Sequence, residues 1–194
     1  LIPMCALNVE KGMRLFMKKL LLLLGTVLLI TGCNDMMNTP TKRVEEYLGS
    51  YQILDSAVLT ELDDVVDNSD YSEKYKEEYK ELMIKQYQNL SYKIKNEQTN
   101  GDSANVIVEL EVFDYNNALS EADDYIEDHE DEFLDDDKES RKEKIDHYRI
   151  NAMKSVTDKA SYTINFSLVK DNKKWVLEKI TDSDLEKIHG LYHD

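Results

Sequence analysis

By residue type, Asp114, His147, Tyr92, Tyr115 and Tyr162 could run acid–base chemistry, because a carboxylate or imidazole takes a proton while a phenol donates one. Around them the alternations Val106 to Val112 and Tyr162 to Leu168 are apolar on one face, which favours a filled core or an apolar pocket over a polar active site. His189 and His193 stand four apart in HGLYH, a spacing that lets one helical turn present both to a metal. Gly190 between them marks the end of a helix, and no third ligand is spaced nearby, so no metal site is expected. His129 falls on the apolar side of its segment and reads as a core histidine. DNSDYSE at 67–73 and DDDKE at 135–139 invite calcium, but an EF-hand loop needs alternating oxygen ligands, a central glycine and a closing glutamate. The first run lacks the glycine and puts Tyr71 at a ligand place. With no glycine-rich phosphate loop, nucleophile elbow or paired-cysteine spacing, no cofactor is expected.

A different chemistry sits in MKKLLLLLGTVLLITGC, Met17 to Cys33. Lys18 and Lys19 form a positive start, Leu20 to Ile30 an apolar core, and Thr31 and Gly32 the small residues before a cut, the pattern of an export signal. A spanning helix needs about 20 apolar residues, more than this run holds before Gly-Cys-Asn-Asp. Its last four residues, Ile30-Thr31-Gly32-Cys33, resemble the bacterial lipobox. That resemblance implies cleavage between Gly32 and Cys33, with diacylglyceryl and palmitate-class acyl chains carried by Cys33. Each buried methylene contributes about 0.8 kcal/mol, so two chains would hold a domain on the outer leaflet of the bacterial membrane. Residues 1–16 then read as a mis-assigned upstream start or an extension, 17–32 as the signal peptide, 33–40 as a tether and 41–194 as one domain.

Four basic residues and one acid precede Cys33, so the 24 Lys and Arg and 40 Asp and Glu of the chain leave 20 against 39 from Cys33 onward, a net charge of −19. Such a domain repels phosphate backbones, so nucleic acid is not an expected partner, whereas metal ions and cationic peptides are electrostatically allowed. After Cys33 there is no further cysteine, and stability must come from packing.

Apolar residues from Val44 to Val66 recur at three- and four-residue steps and predict one long helix over 41–66, capped by Thr39 or Thr41, with a bend at Gly49-Ser50. Ser72 or Asp70 opens a second helix with the stripe Tyr71, Tyr75, Tyr79, Leu82, Met83 and Tyr87. The period then shortens to two. Leu90, Tyr92 and Ile94 predict a strand, Asn100-Gly101 a type I′ hairpin turn, and Ala104 to Tyr115 the return strand. Helical periods resume over 117–134 and again around Ile145, Tyr148, Ala152, Met153 and Val156. Between Ser120 and Glu139 twelve acids and one lysine form what reads as a solvated face and a loop. A second hairpin turns at KDNKK, and Thr181 or Asp182 caps a last helix that ends near Gly190.

The fold class expected is therefore α+β: an antiparallel sheet of about four strands in two hairpins, packed with helices. Through TPTKRVEEYL, YKELMIKQYQNLSYKIKNEQTNGDSANVIVELEVFDY, YTINFSLVKDNKKWVLEKI and LEKIHGLY the chain resembles a family of uncharacterised Gram-positive, clostridial-type lipoproteins. The resemblance spans most of 39–192 and implies a nuclear-transport-factor-2-like (cystatin-like) domain with a curved sheet, and it brings no catalytic motif. The function expected is that of a non-enzymatic, membrane-anchored lipoprotein binding an unknown protein or small ligand at the cell surface. The alternatives are a small-pocket enzyme using the Asp, His and Tyr groups above, and an acidic binder of metal or cationic peptide using 121–137.

Overall fold

The computed structural model describes residues 38–136 and 138–193. The lipobox residues Gly32 and Cys33, the segments 1–16 and 17–32 and most of the 33–40 tether lie outside the described residues.

Helix α1 runs Pro40–Gln52 and α2 Ser56–Asp67, followed by α3 at Glu73–Asn89. Strands β1 (Ser91–Asn100) and β2 (Ser103–Phe113) form the first hairpin. Helix α4 (Tyr115–Asp128), a 3-10 turn at Glu130–Phe133 and α5 (Arg141–Lys154) lead to β3 (Lys159–Asp171), β4 (Lys174–Leu177) and α6 (Asp182–His189). The four strands make one antiparallel sheet in chain order, β1-β2-β3-β4, so the chain is α+β with both expected hairpins present.

The alternation in β2 and β3 sorts the two faces. Val106, Val108, Leu110 and Val112 share a buried face with Ile164, Phe166 and Leu168, while Asn105, Glu111, Thr163 and Asn165 point outward. Helices α1 and α3 cover the buried face with Val44, Leu48, Tyr51, Leu82, Met83 and Tyr87. Each such aliphatic or aromatic side chain contributes about 1.5–3 kcal/mol when removed from water. Tyrosines supply much of the seam, edge-on where Tyr51 meets Tyr87 (5.0 Å) and where Tyr47 meets Phe166 (6.0 Å).

Three elements depart from the sequence expectation. The single helix over 41–66 is two helices, and the break lies at 53–55 instead of Gly49-Ser50. Leu54 takes a left-handed φ of 53°, and the Asp55 carboxylate then accepts from the N–H groups of Ala57 (2.8 Å) and Val58 (3.2 Å), starting a new helix. The first hairpin turns on Gly101-Asp102, because Asn100 pairs with Ser103. Only Gly101 has a positive φ there (61°), the φ pattern of a II′ turn, whereas Asn172 and Lys173, both at positive φ, make the I′-like turn of the second hairpin. Helix α4 stops at Asp128, with His129 as its C-cap and not as a core residue; the imidazole is half-buried and stacks on Tyr125 at 4.0 Å.

The register of β1 slips between Ile94 and Asn96, leaving Lys95 as an extra residue that pairs with Glu109 at 2.9 Å.

Candidate functional site

Helix α4 presents Asp114, Asn117, Ala118, Glu121, Ala122 and Tyr125 at three- and four-residue steps, which places them along one side. Across from them run Tyr148 and Ala152 of α5 and then Ser155, Val156, Thr157 and Asp158 of the strand approach. Alanines on both helices are too small to close the seam. The result is a groove of about 510 Å³ between α4 and α5, within the range of small-molecule sites.

Its ends are fixed by separate devices. At one end the Asp114 N–H donates to the Asp158 carbonyl (3.1 Å), and the Asp114 carboxylate accepts from the Asn117 N–H (3.1 Å) to cap α4. At the other, Tyr125 and Tyr148 stack at 5.0 Å, and Phe133 from the 3-10 turn meets Tyr148 edge-on at 5.5 Å. Between them the Asn117 side-chain amide donates to Glu121 (2.9 Å), orienting that carboxylate. Desolvation and the nearby Glu132 carboxylate raise the Tyr125 phenol above its ordinary value, so it stays protonated and able to donate. The groove is lined by three carboxylates and by no Lys, Arg or His among the described residues.

The five sequence candidates do not converge here. Asp114 lines the groove. Tyr115, its chain neighbour, is fully buried, donates to the Leu82 carbonyl (3.2 Å) and is pushed up to about 12 by burial. Tyr92 lines a separate surface depression with Lys93, Glu109 and Glu111. His147 is exposed and stacks on Tyr75 at 5.5 Å, and Tyr162 meets Tyr192 edge-on at 5.6 Å. A one-residue step reverses a strand side chain, and the same step takes the helix cap Asp114 to the buried Tyr115, so residue type alone could not group them.

His189 and His193 are also separated. Gly190, at φ 71°, ends α6, which leaves His193 exposed outside the helix while His189 is only 8% exposed. Buried beside Tyr87 with no hydrogen-bond partner for Nε2, the His189 imidazole is held down to about 4 by desolvation. Below the ordinary value of 6.5 the unfolded chain therefore takes up a proton that the folded chain refuses. Stability is unaffected by this group above pH 6.5 and falls as the pH drops from there toward 4. Between pH 7 and pH 5 the expected loss is about 2 kcal/mol. Urea denaturation at the two pH values checks it: His189→Asn should remove most of the loss, and an equal loss in that variant would contradict the assignment.

Asp146 was not among the sequence candidates. It is 2% exposed, accepts from the Ser72 N–H at the start of α3 (2.7 Å) and faces the Lys142 ammonium (3.3 Å). One carboxylate thus ties α5 to α3, and the only sequence signal was its position in the i, i+4 step with Ile150. The acidic run is likewise not simply solvated. Asp136 accepts from the Lys138 and Glu139 N–H groups and pairs with Lys144 (2.9 Å), which holds its carboxyl at about 2. Glu139 pairs with Lys74 and accepts from the Tyr75 hydroxyl, and both lower it. Among the described residues no group of three or more His, Cys, Asp or Glu side chains is placed to hold a metal ion.

None of the described helices is long and apolar enough to cross a membrane. No protein-family profile matches the chain, and neither does any curated protein. Among solved structures it is similar to a candidate lipoprotein, ycdA of Bacillus subtilis subsp. subtilis str. 168, with 14% sequence identity and a TM-score of 0.42 over 70% of this chain and 44% of that one. The chain therefore spans less than half the length of that protein.

Proposed function

We propose that the chain is an extracytoplasmic lipoprotein, held at the outer face of a bacterial membrane through a diacylglyceryl group on Cys33, and that its α+β domain is a non-enzymatic binding module. The observation that carries the anchor is the sequence Lys18-Lys19, apolar Leu20 to Ile30, then Gly32-Cys33, with the folded domain beginning at Pro40. The α4–α5 groove supplies the ligand site: it is large enough for a small molecule and open at the surface, and its polar groups are ordered by caps and hydrogen bonds. A binding role is supported over catalysis by the scatter of the Asp, His and Tyr candidates, of which Asp114 alone lines the groove. Within this reading the domain is a variant of the nuclear-transport-factor-2-like (cystatin-like) design, supported by a single antiparallel sheet with helices packed on one face.

Expression with radiolabelled palmitate tests the anchor. Wild type should label and sediment with membranes, and Cys33→Ser should lose the label and leave the membrane fraction. Unlabelled wild type, or a Cys33→Ser variant that stays in membranes, would remove the anchor from the proposal.

A further inference from the structure

We infer that the groove between α4 and α5 takes a linear aliphatic polyamine, with its ammonium groups on Asp114, Glu121 and Asp158 and its methylenes on the alanine floor. The inference rests on the reading of this groove as the ligand site and adds the chemistry of the ligand.

Sign is the first argument. Three carboxylates line the groove with no cationic side chain among the described residues, in a domain that carries a large negative charge elsewhere as well. An anionic ligand would meet repulsion at every point, and a cation is attracted before contact. The second argument is shape. Asp114 and Glu121 are seven residues apart on α4, two turns or about 10 Å along the axis, so their carboxylates address charges spread along a chain. They cannot close on one ion, in keeping with the absence of a metal-holding group among the described residues. The third is the floor. Ala118, Ala122, Ala152 and Val156 give apolar contact between the acidic points, which suits methylene segments between amines and gives nothing to a fully hydrated ion. The stacked Tyr125 and Tyr148 bound the far end, so the groove has a finite length, as a small molecule needs and a long basic peptide does not.

The full chain, labelled with carbon-13 at alanine methyl groups and purified in detergent, is titrated with spermidine at physiological salt, where the Debye length is about 8 Å and diffuse attraction is screened. Saturable shifts of the Ala118, Ala122 and Ala152 methyl signals are expected. Glu121→Gln with Asp158→Asn should weaken binding about tenfold. Asp124→Asn with Glu127→Gln, the same charge change on the exposed side of α4, should leave it within about twofold. Equal weakening by both pairs would reduce the effect to diffuse attraction and overturn the inference. If spermidine moves none of these methyl signals while a set of neutral small molecules does, the polyamine inference falls and the groove remains the ligand site. If nothing moves them, both fall.

Discussion

Gly190→Ala should lower the unfolding free energy by about 3–5 kcal/mol and the melting temperature by about 10 °C or more. Two costs combine. The backbone at Gly190 is left-handed, φ 71° and ψ 22°, which an alanine tolerates at a cost of about 1 kcal/mol. The added Cβ would also lie 2.0 Å from Nε2 of Gln86 and 2.3 Å from the Phe113 carbonyl oxygen, well inside contact distance. Neither neighbour can yield cheaply, because one is strand backbone and the other is a buried amide held by three hydrogen bonds. Gly49→Ala is the control: nothing lies within 4 Å of its added Cβ in the middle of α1, so that variant should hold or gain stability. Urea denaturation of both variants decides it, and a loss below 1 kcal/mol for Gly190→Ala would show that α6 does not pack as described.

Gln86→Leu should cost about as much, by a different route. Gln86 is fully buried on α3, and its side chain copies a strand. The amide nitrogen donates to the carbonyls of Phe113 (2.9 Å) and His189 (3.0 Å), while the amide oxygen accepts from the Phe113 N–H (2.8 Å). Leucine fills the same space and leaves two carbonyls and one N–H without partners, each costing about 1–3 kcal/mol when dry. A total of about 3–5 kcal/mol is expected. Gln86→Glu separates volume from hydrogen bonding: it keeps the acceptor for Phe113 but loses both donors and buries a carboxylate, so it should be no better than leucine. Because Gly190 and Gln86 touch, the double variant should lose less than the sum of the two. Full additivity in a double-mutant cycle would mean that the two act independently and that no shared latch exists.

Both predictions concern a junction that the sequence only half announces. The end of α6 at Gly190 was readable, because a glycine after LEKIH is the usual left-handed stop. The alternation of β2 and β3 was equally plain, since period two with valine, isoleucine and leucine on one side has few other solutions. Gln86 was not readable: a glutamine in the stripe of α3 looks solvated until β2 and α6 arrive from 27 and 103 residues away to use both ends of its amide. Asp146 failed for the same reason, since its partner N–H belongs to Ser72, 74 residues earlier. The break between α1 and α2 was missed because Gly49 drew attention as the weak point, whereas the helix stops where Leu54 turns left-handed and Asp55 can cap. Of the site, the residues of α4 could be placed on one face from their spacing, but the groove needs α5 alongside, and no local pattern states which helices will be neighbours.

The extra residue at Lys95 bears on how such molecules coexist. Strand β1 is ten residues long and lies at the edge of the sheet, with one row of its backbone hydrogen-bonding groups not taken up by β2. A regular edge of that length is a template on which a second copy could add its own strand. The register shift after Ile94 breaks the spacing of that row near its middle. A bulge at that place disfavours edge-to-edge addition of a further strand, at the cost of a less regular pairing with β2.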